Sequence, residues 1–322
     1  MGRLNPNTQQ RMQRVHAMRR RGLSFSCIGA ELGCSADTAR GMYYRWLRQT
    51  RQRDAAPTSA VALPALVEAA RWDNAPVLEG DWLILPDVHL PYTRWALLEL
   101  ALEFGVRQMR RGYRQLLLLG DFINADALST YAHSAPPIGL NDELDVARDV
   151  LATMTRHSDR IVWTMGNHEL RIARALDGQI GGEALRRLLA SSERVDVLGE
   201  TRAIVVSGGV TWRCTHQRNY SSARGRTPAR LALKYQSNVI SAHEHHVAVT
   251  LDDYGRYVAI SAGGLFDQAR LNYASYVDST SPAMCNGFVF VQRGAGHLLT
   301  PYPALTDWDR WGMGALAERA LR

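Results

Sequence analysis

The fold class predicted from the sequence is α/β, a largely parallel β-sheet wrapped by helices, preceded by a small all-α unit. Three observations predict it. Short apolar runs at Trp82–Leu85, Leu116–Leu119 and Ile161–Trp163 are each closed by turn residues, as buried strands are. Helical stretches at Arg94–Met109 and Glu143–Arg156 separate them, and a β-α-β-α-β order favours parallel pairing with helices on the faces. The first 53 residues, by contrast, are basic and carry helical periodicity.

In chain order, Met12, Val15 and Met18 mark one face of a first helix, which Gly22 breaks. Ser24 or Ser26 can cap a second helix carrying Ile28 and Leu32. Gly33-Cys34 forms a turn, and Ser35 caps a third helix with Ala39, Met42, Tyr43 and Trp46 on its buried side. The spacing is that of a helix-turn-helix, and Leu23–Leu47 resembles the three-helix DNA-binding units of resolvases, transposases and sigma factors. The resemblance implies that Ala36, Asp37, Thr38, Arg40, Gly41, Tyr44 and Arg45 face the major groove, while Arg19, Arg20, Arg21 and Arg48 touch phosphates. Charge agrees, since residues 1–53 hold eleven arginines against Glu31 and Asp37, about +9 of a chain whose total is +7. The same pattern also fits a helical hairpin that mediates assembly or covers the rest of the chain, so DNA and a second copy of the chain are both expected partners.

Residues 54–79 are expected to be a linker: Gln49–Ala60 is polar and carries Pro57, Val61–Trp72 can form a short helix, and Asp73–Gly80 leads into the first strand. Residues 80–322 would then form the second domain. Its apolar runs each deliver a motif: Asp87-Val88-His89, Gly120-Asp121 and Gly166-Asn167-His168-Glu169. In such sheets ligands bind beyond the carboxyl ends of the strands, where all three motifs fall. His216 follows another apolar run, and Ala242-His243-Glu244-His245 a further one. Alternating runs at Ala203–Ser207, Val210–Thr215, Asn238–Ala242, Tyr257–Ser261 and Gly287–Gln292 predict more strands, and Trp308–Leu321 a closing helix.

Six of the ten histidines fall at or beside these motifs. Imidazole suits zinc, iron and nickel, whereas carboxylate and amide oxygens suit harder ions such as manganese. The mixed Asp/Asn/His set therefore accommodates two first-row divalent ions, with manganese the first expectation and iron, zinc and nickel open. A pair of ions about 3.5–4 Å apart activates a hydroxide and neutralises both the attacking and the leaving oxygen of an in-line displacement. Asp121, with a free second oxygen, is the expected bridge.

The ordered set resembles the calcineurin-like metallophosphoesterases, whose signatures run Asp-x-His, Gly-Asp-x-x-Asp, Gly-Asn-His-Asp/Glu, a lone His, then Gly-His-x-His. The match covers roughly residues 80–300. It implies two packed mixed sheets flanked by helices, with the C-terminal strands forming the second sheet. It further implies one metal held by Asp87, His89, Asp121 and His245, another by Asp121, Asn167, His216 and His243, and His168 as the general acid. Asn124 stands where the family has an acid paired with the catalytic His, and an amide oxygen there can orient His168 without charging it. Ala125 stands where the protein Ser/Thr phosphatases of the superfamily carry Arg, which argues against a phosphoprotein substrate. Ala242 replaces the usual Gly, and His246 adds an imidazole expected beside the ligands or at the surface. Arg171 and Arg218, next to motifs, would steady phosphate oxygens.

The expected activity is hydrolysis of a phosphate ester, as a DNA-directed nuclease or nucleic-acid phosphatase. A phosphodiesterase for a small substrate such as a cyclic nucleotide is the second expectation, and a DNA-binding regulator with a weakly active metal site the third. With 46% hydrophobic residues the chain can bury a substantial core. It has no apolar run of about 18 residues and no signal-like start, so no membrane partner and a cytoplasmic location are expected, and the layout suggests a phage or prophage product. Cys27, Cys34, Cys214 and Cys285 show no Cys-x-x-Cys spacing and demand no disulfides.

Overall fold

A computed structural model describes residues 6–53, 75–130, 136–175, 182–189, 192–271 and 283–321. Contacts divide the chain into two compact units, Met1–Asn74 and Ala75–Arg322.

Among the described residues the first unit has three helices: α1 (Pro6–Arg20), α2 (Phe25–Leu32) and α3 (Ala36–Arg53). Met12 and Val15 on α1, Phe25 and Ile28 on α2 and Ala39 on α3 are buried, with Met42 and Tyr43 packed against the cluster. The caps are polar side chains on backbone donors: the Ser24 hydroxyl accepts from the Cys27 amide at 3.2 Å, and that of Ser35 from the Thr38 amide at 3.1 Å. Of the two serines that could cap α2, Ser24 does so. The turn into α3 passes so close to α2 that a Cβ on Gly29 would stand 2.6 Å from the Cys34 carbonyl oxygen. Only glycine permits that approach.

The second unit is mixed α/β, its described residues forming two six-stranded mixed sheets flanked by helices. Its strands are β1 (Val77–Glu79), β2 (Trp82–Pro86), β3 (Gln115–Leu119), β4 (Arg160–Thr164), β5 (Val195–Val197), β6 (Arg202–Ser207), β7 (Val210–Thr215), β8 (Asn238–Ser241), β9 (Val247–Leu251), β10 (Val258–Ala262), β11 (Phe288–Gln292) and β12 (Ala295–Leu299). The helices are α4 (Trp95–Gln108), α5 (Leu140–His157), α6 (Glu169–Ala175), α7 (Gly182–Leu189), α8 (Arg226–Tyr235) and α9 (Gly314–Leu321). One sheet runs β12-β11-β2-β3-β4-β5, parallel from β2 to β5; the other runs β1-β6-β7-β8-β10-β9.

Alternation along the strands separates the layers. Leu83 and Leu85 of β2, Leu116 and Leu118 of β3, and Ile161 and Trp163 of β4 pack with α4, α5 and α7. Their neighbours Trp82, Ile84, Leu117, Leu119 and Val162 meet Val205, Trp212, Cys214, Ile240 and Ile260 of the other sheet. Burial on both faces is why the first three strands read as continuous apolar runs rather than alternating ones.

Four sequence expectations differ from this arrangement. Residues 49–53, read as the start of the polar linker, continue α3 instead. The run at Gly287–Gln292 joins the first sheet as β11, antiparallel to β2, and not the second. Its Phe288 and Phe290 face the helices while Val289 and Val291 face the other sheet, so both of its faces need cover that only an inner strand receives. Val77–Glu79, assigned to the linker, is the edge strand β1, paired in parallel with β6, so the second domain begins before residue 80. The closing helix is shorter than Trp308–Leu321, because Gly312 at φ 66 separates a 3-10 turn from α9. The expected linker residues 54–74, including the short helix at Val61–Trp72, lie outside the described residues. Among the described residues no helix is long and apolar enough to cross a membrane.

Candidate metal centre

Loops at the carboxyl ends of β2, β3, β4, β7 and β8 converge on one cluster, delivering Asp87 and His89, Asp121, Asn167 and His168, His216, and His243 and His245 respectively. All but Asn167 and His243 are buried. Asp121 is central: its Oδ2 lies 3.3 Å from His216 Nε2, 3.7 Å from His168 Nε2 and 3.9 Å from His89 Nε2. Its Oδ1 accepts the His168 backbone N–H at 2.9 Å. On one side Asp87 Oδ1 is 3.2 Å from His245 Nε2, which is 3.1 Å from His89 Nε2. On the other, His216 Nε2 is 3.1 Å from the Asn167 amide oxygen, and Asp121, His216 and His243 form a further group of ligand-competent atoms.

Backbone strain accompanies this convergence. Asp87, His89, Asp121, His243 and His245 all have positive φ, between 44° and 83°, which costs a non-glycine residue on the order of 1–3 kcal/mol each. The surroundings hold them there. The buried Glu169 carboxylate accepts four N–H groups, from Asp121 and Gly166 at one oxygen (2.9 and 2.7 Å) and from Phe122 and Ile123 at the other (2.7 and 3.2 Å). Gly166 is packed so tightly that a Cβ would stand 2.1 Å from Asp121 Oδ1. Buried Glu143 of α5 accepts the Ala125 and Asp126 amides at 2.6 and 3.2 Å and fixes the next turn of the same loop.

The donor set fits a cation. His89 Nδ1–H donates to the Asn124 amide oxygen at 2.8 Å, and His216 Nδ1–H to the Leu119 carbonyl at 3.1 Å, so each ring turns an Nε2 lone pair inward. Those lone pairs meet carboxylate and amide oxygens that are themselves acceptors. Acceptors converging in a buried site require positive charge between them. In the bare chain a proton supplies it: burial lowers the pKa of His216, but Asp121 and then Asp87 overcome this and drive it up to about 10. Burial likewise pushes Asp121 up, yet His168, His216 and His89 hold it well below the usual carboxylate range. Partial burial and then the neighbouring His216 push His243 down to about 4. Burial and the Asp121 charge push Glu169 up to about 7 against the pull of its N–H donors.

All seven expected ligands thus fall in one cluster, His216 included. The Asn124 side chain serves a different partner from the expected one: its amide oxygen orients His89, while its backbone carbonyl accepts from His168 Nδ1. The amide oxygen has a single direction to point, and His89 occupies it. Arg171 lies beside His168, with Nη2 3.1 Å from Nε2 and Nη1 donating to the Asn124 carbonyl at 3.0 Å, whereas Arg218 is exposed and no described contact ties it to the cluster. His246 is buried, not on the surface. Glu169 and Glu143 were given no role from sequence: the first stands inside a motif and could have been suspected, but the second sits on an amphipathic helix with nothing local to mark it.

In the first unit Arg20, Arg21, Tyr44 and Arg45 are exposed. The Arg19 guanidinium instead lies over the Phe25 ring at 4.7 Å and donates to the Leu23 carbonyl, Arg40 pairs with Asp37 at 3.3 Å, and the Thr38 hydroxyl is 2.8 Å from that of Ser35. The Arg48 side chain lies outside the described residues.

No family model and no curated protein matches the chain. Among solved structures it is similar to a Thermotoga maritima protein determined by solution NMR, at 12% identity and a TM-score of 0.31, over 69% of this chain and 98% of that one.

Proposed function

We propose that the second unit is a metal-dependent phosphoesterase with the architecture of the calcineurin-like metallophosphoesterases, and that the first is a helix-turn-helix directing it to DNA as a nuclease or nucleic-acid phosphatase. The observation that carries the reading is the placement of Asp121 Oδ2 between the imidazoles of His89, His168 and His216. Asp87, His89, Asp121 and His245 would hold one divalent ion, and Asp121, Asn167, His216 and His243 another. Manganese leads on the mixed oxygen and nitrogen donors, with iron, zinc and nickel as alternatives. Such a pair supplies a nucleophile at neutral pH and neutralises charge on the attacking and leaving oxygens.

The chain's own residues do the rest. The Asn124 carbonyl fixes the His168 ring so that Nε2 faces the cluster, where it serves the leaving oxygen. Burial pushes the pKa of His168 down to about 3, with His89 and Arg171 adding to that push and Asp121 opposing it. In the bare chain the neutral ring therefore keeps its proton on Nδ1 and Nε2 accepts from Arg171, so Nε2 must take up a proton when substrate binds before it can give one to the leaving oxygen. The Arg171 guanidinium beside it offers positive charge to phosphate oxygens.

The test is cleavage of single-stranded DNA, duplex DNA, cyclic nucleotides and a chromogenic diester by protein stripped of metal and reloaded with manganese. Hydrolysis of DNA and the diester, abolished by chelation, is expected. Turnover of cyclic nucleotides alone would move the assignment to a small-substrate phosphodiesterase with an assembly-type first unit. Binding of DNA with no metal-dependent cleavage of anything would make the protein a regulator.

A further inference from the structure

The loop that leaves the metal centre carries exposed groups that stand outside the buried cluster. From His216 at the end of β7 the chain runs to α8 through Arg218, Tyr220 and Arg224, and Arg226 and Arg230 follow on the helix. All five side chains are exposed, Tyr220 at 52%. Arg224, Arg226 and Arg230 line a cavity of about 310 Å³ with Thr250 and Leu251 of β9 and one acid, Asp253. Three guanidiniums thus face one carboxylate, and among the described residues no ion pair neutralises them. Arg224 is held in place by bonds to the Cys285 sulfur and the Ala283 carbonyl, at 2.8 and 2.9 Å.

This surface is fastened to the metal loop. Glu244, between His243 and His245, accepts the Ser221 N–H at 2.7 Å and the Thr227 hydroxyl at 2.6 Å, gripping the segment on both sides of Arg224. The Tyr220 ring lies 5.7 Å from that of buried His246, the residue after His245. One carboxylate therefore links the candidate ligands to the arginines.

A small phosphate ester would need only the buried cluster. Guanidiniums interleaved with an exposed ring match instead a chain of phosphates that carries unstacked bases. A duplex keeps its bases stacked inside and would leave Tyr220 without a partner. We propose that Tyr220, Arg224, Arg226 and Arg230 form a subsite for single-stranded nucleic acid, Tyr220 stacking on a base and the guanidiniums holding phosphates that flank the reacting one. The adjacency to a reacting phosphate rests on the phosphoesterase reading; the binding itself does not.

The test uses the full chain without metal and a fluorescent thymidine oligonucleotide, with anisotropy followed across salt concentrations. Counterion release from single strands contributes a slope of about 0.7 for each phosphate neutralised, so Arg226→Ala with Arg230→Ala should flatten the log–log slope by about 1.4. Lysine at both positions should restore it. Tyr220→Ala should weaken binding roughly tenfold with the slope kept, as removal of one stacked base does. Arg111→Ala with Arg319→Ala, removing equal charge from exposed positions elsewhere in the unit, should change neither. An unchanged slope in the Arg226/Arg230 variant, an equal change in the Arg111/Arg319 control, or a loss confined to duplex DNA would overturn the subsite. Absence of manganese-dependent hydrolysis, with the slope changes as expected, would instead remove the phosphoesterase reading and leave the subsite standing.

Discussion

The two units place their charged groups in opposite ways. In the three-helix unit a small apolar cluster around Val15, Phe25, Ile28 and Ala39 is fully internal and the arginines lie outside it, with Arg20, Arg21 and Arg45 exposed. In the two-sheet unit Asp87, His89, Asp121, His216 and His245 are buried, and most stand on left-handed backbone. An exposed arginine costs little to keep and acts through its long-range field, which salt screens. A buried aspartate among imidazoles is tolerated only with compensating positive charge, so that cluster is specific, pH-dependent and intolerant of substitution. The buried groups of the second unit could hold a metal ion, and on the proposed reading the exposed arginines of the first recruit DNA.

The comparison is broken most severely at Asp121. Asp121→Asn keeps the volume but removes charge shared by both halves of the cluster, and loss of several kcal/mol of transition-state stabilisation predicts a fall in turnover of about 10³-fold or more. Metal content should fall with it, read by elemental analysis of reconstituted protein. Full activity at one ion per chain in the unsubstituted protein would defeat the paired-ion arrangement.

His168→Ala comes next and separates catalysis from metal holding. Turnover of a diester with a poor leaving group should fall by roughly 10²-fold or more, and that of an activated aryl ester by less. Equal losses on both substrates, accompanied by loss of metal, would instead assign His168 to the ligand set, as its closeness to His89 and Asp121 allows.

Removal of residues 1–53 tests the other side. Hydrolysis of a chromogenic diester should stay nearly unchanged while duplex-DNA affinity drops and its salt slope decreases by about 0.9 for each phosphate that the unit neutralises. Mass in solution, measured alongside, sorts recruitment from assembly: an unchanged slope with a smaller oligomer would give the unit an assembly role.

The smallest expected effect is a proton. With its pKa raised to about 10, His216 stabilises the metal-free chain fully below its unfolded value of about 6.5, and that contribution is lost as pH rises through about 10. The depressed Asp87 and Asp121 act in the other direction, contributing above about 3.9 and ceasing to as pH falls through their folded values. A metal ligated by His216 must displace its proton. Between about pH 6.5 and 10 this group should therefore raise apparent metal affinity about tenfold per pH unit, with one proton released. Calorimetry in buffers of different ionisation enthalpy reads the release directly; none at pH 7.5 would show that His216 does not hold this proton in the metal-free chain.

Much of this was determined by the sequence alone, because the signals are local. Strands buried on both faces must be continuously apolar, so β2, β3 and β4 stood out, and so did the motif residues that follow each of them. Serine caps marked the starts of the second and third N-terminal helices within a residue, though not how far the third one runs. Tertiary structure decided what depends on distant partners. Phe288–Gln292 could not be assigned to a sheet from its own residues, since its place beside β2 follows from two apolar faces seeking cover on both sides. Asn124 was legible as the odd residue in its motif, but its choice of His89 over His168 depends on a loop geometry that Glu169 and Glu143 impose from other parts of the chain. The Tyr220–Arg230 segment is likewise tied to the cluster by a distant residue, Glu244, which accepts from Ser221 and Thr227. The physical reason is common to all three: periodicity and capping act within a few residues, whereas a buried polar group is satisfied by whichever partner the fold brings within about 3 Å.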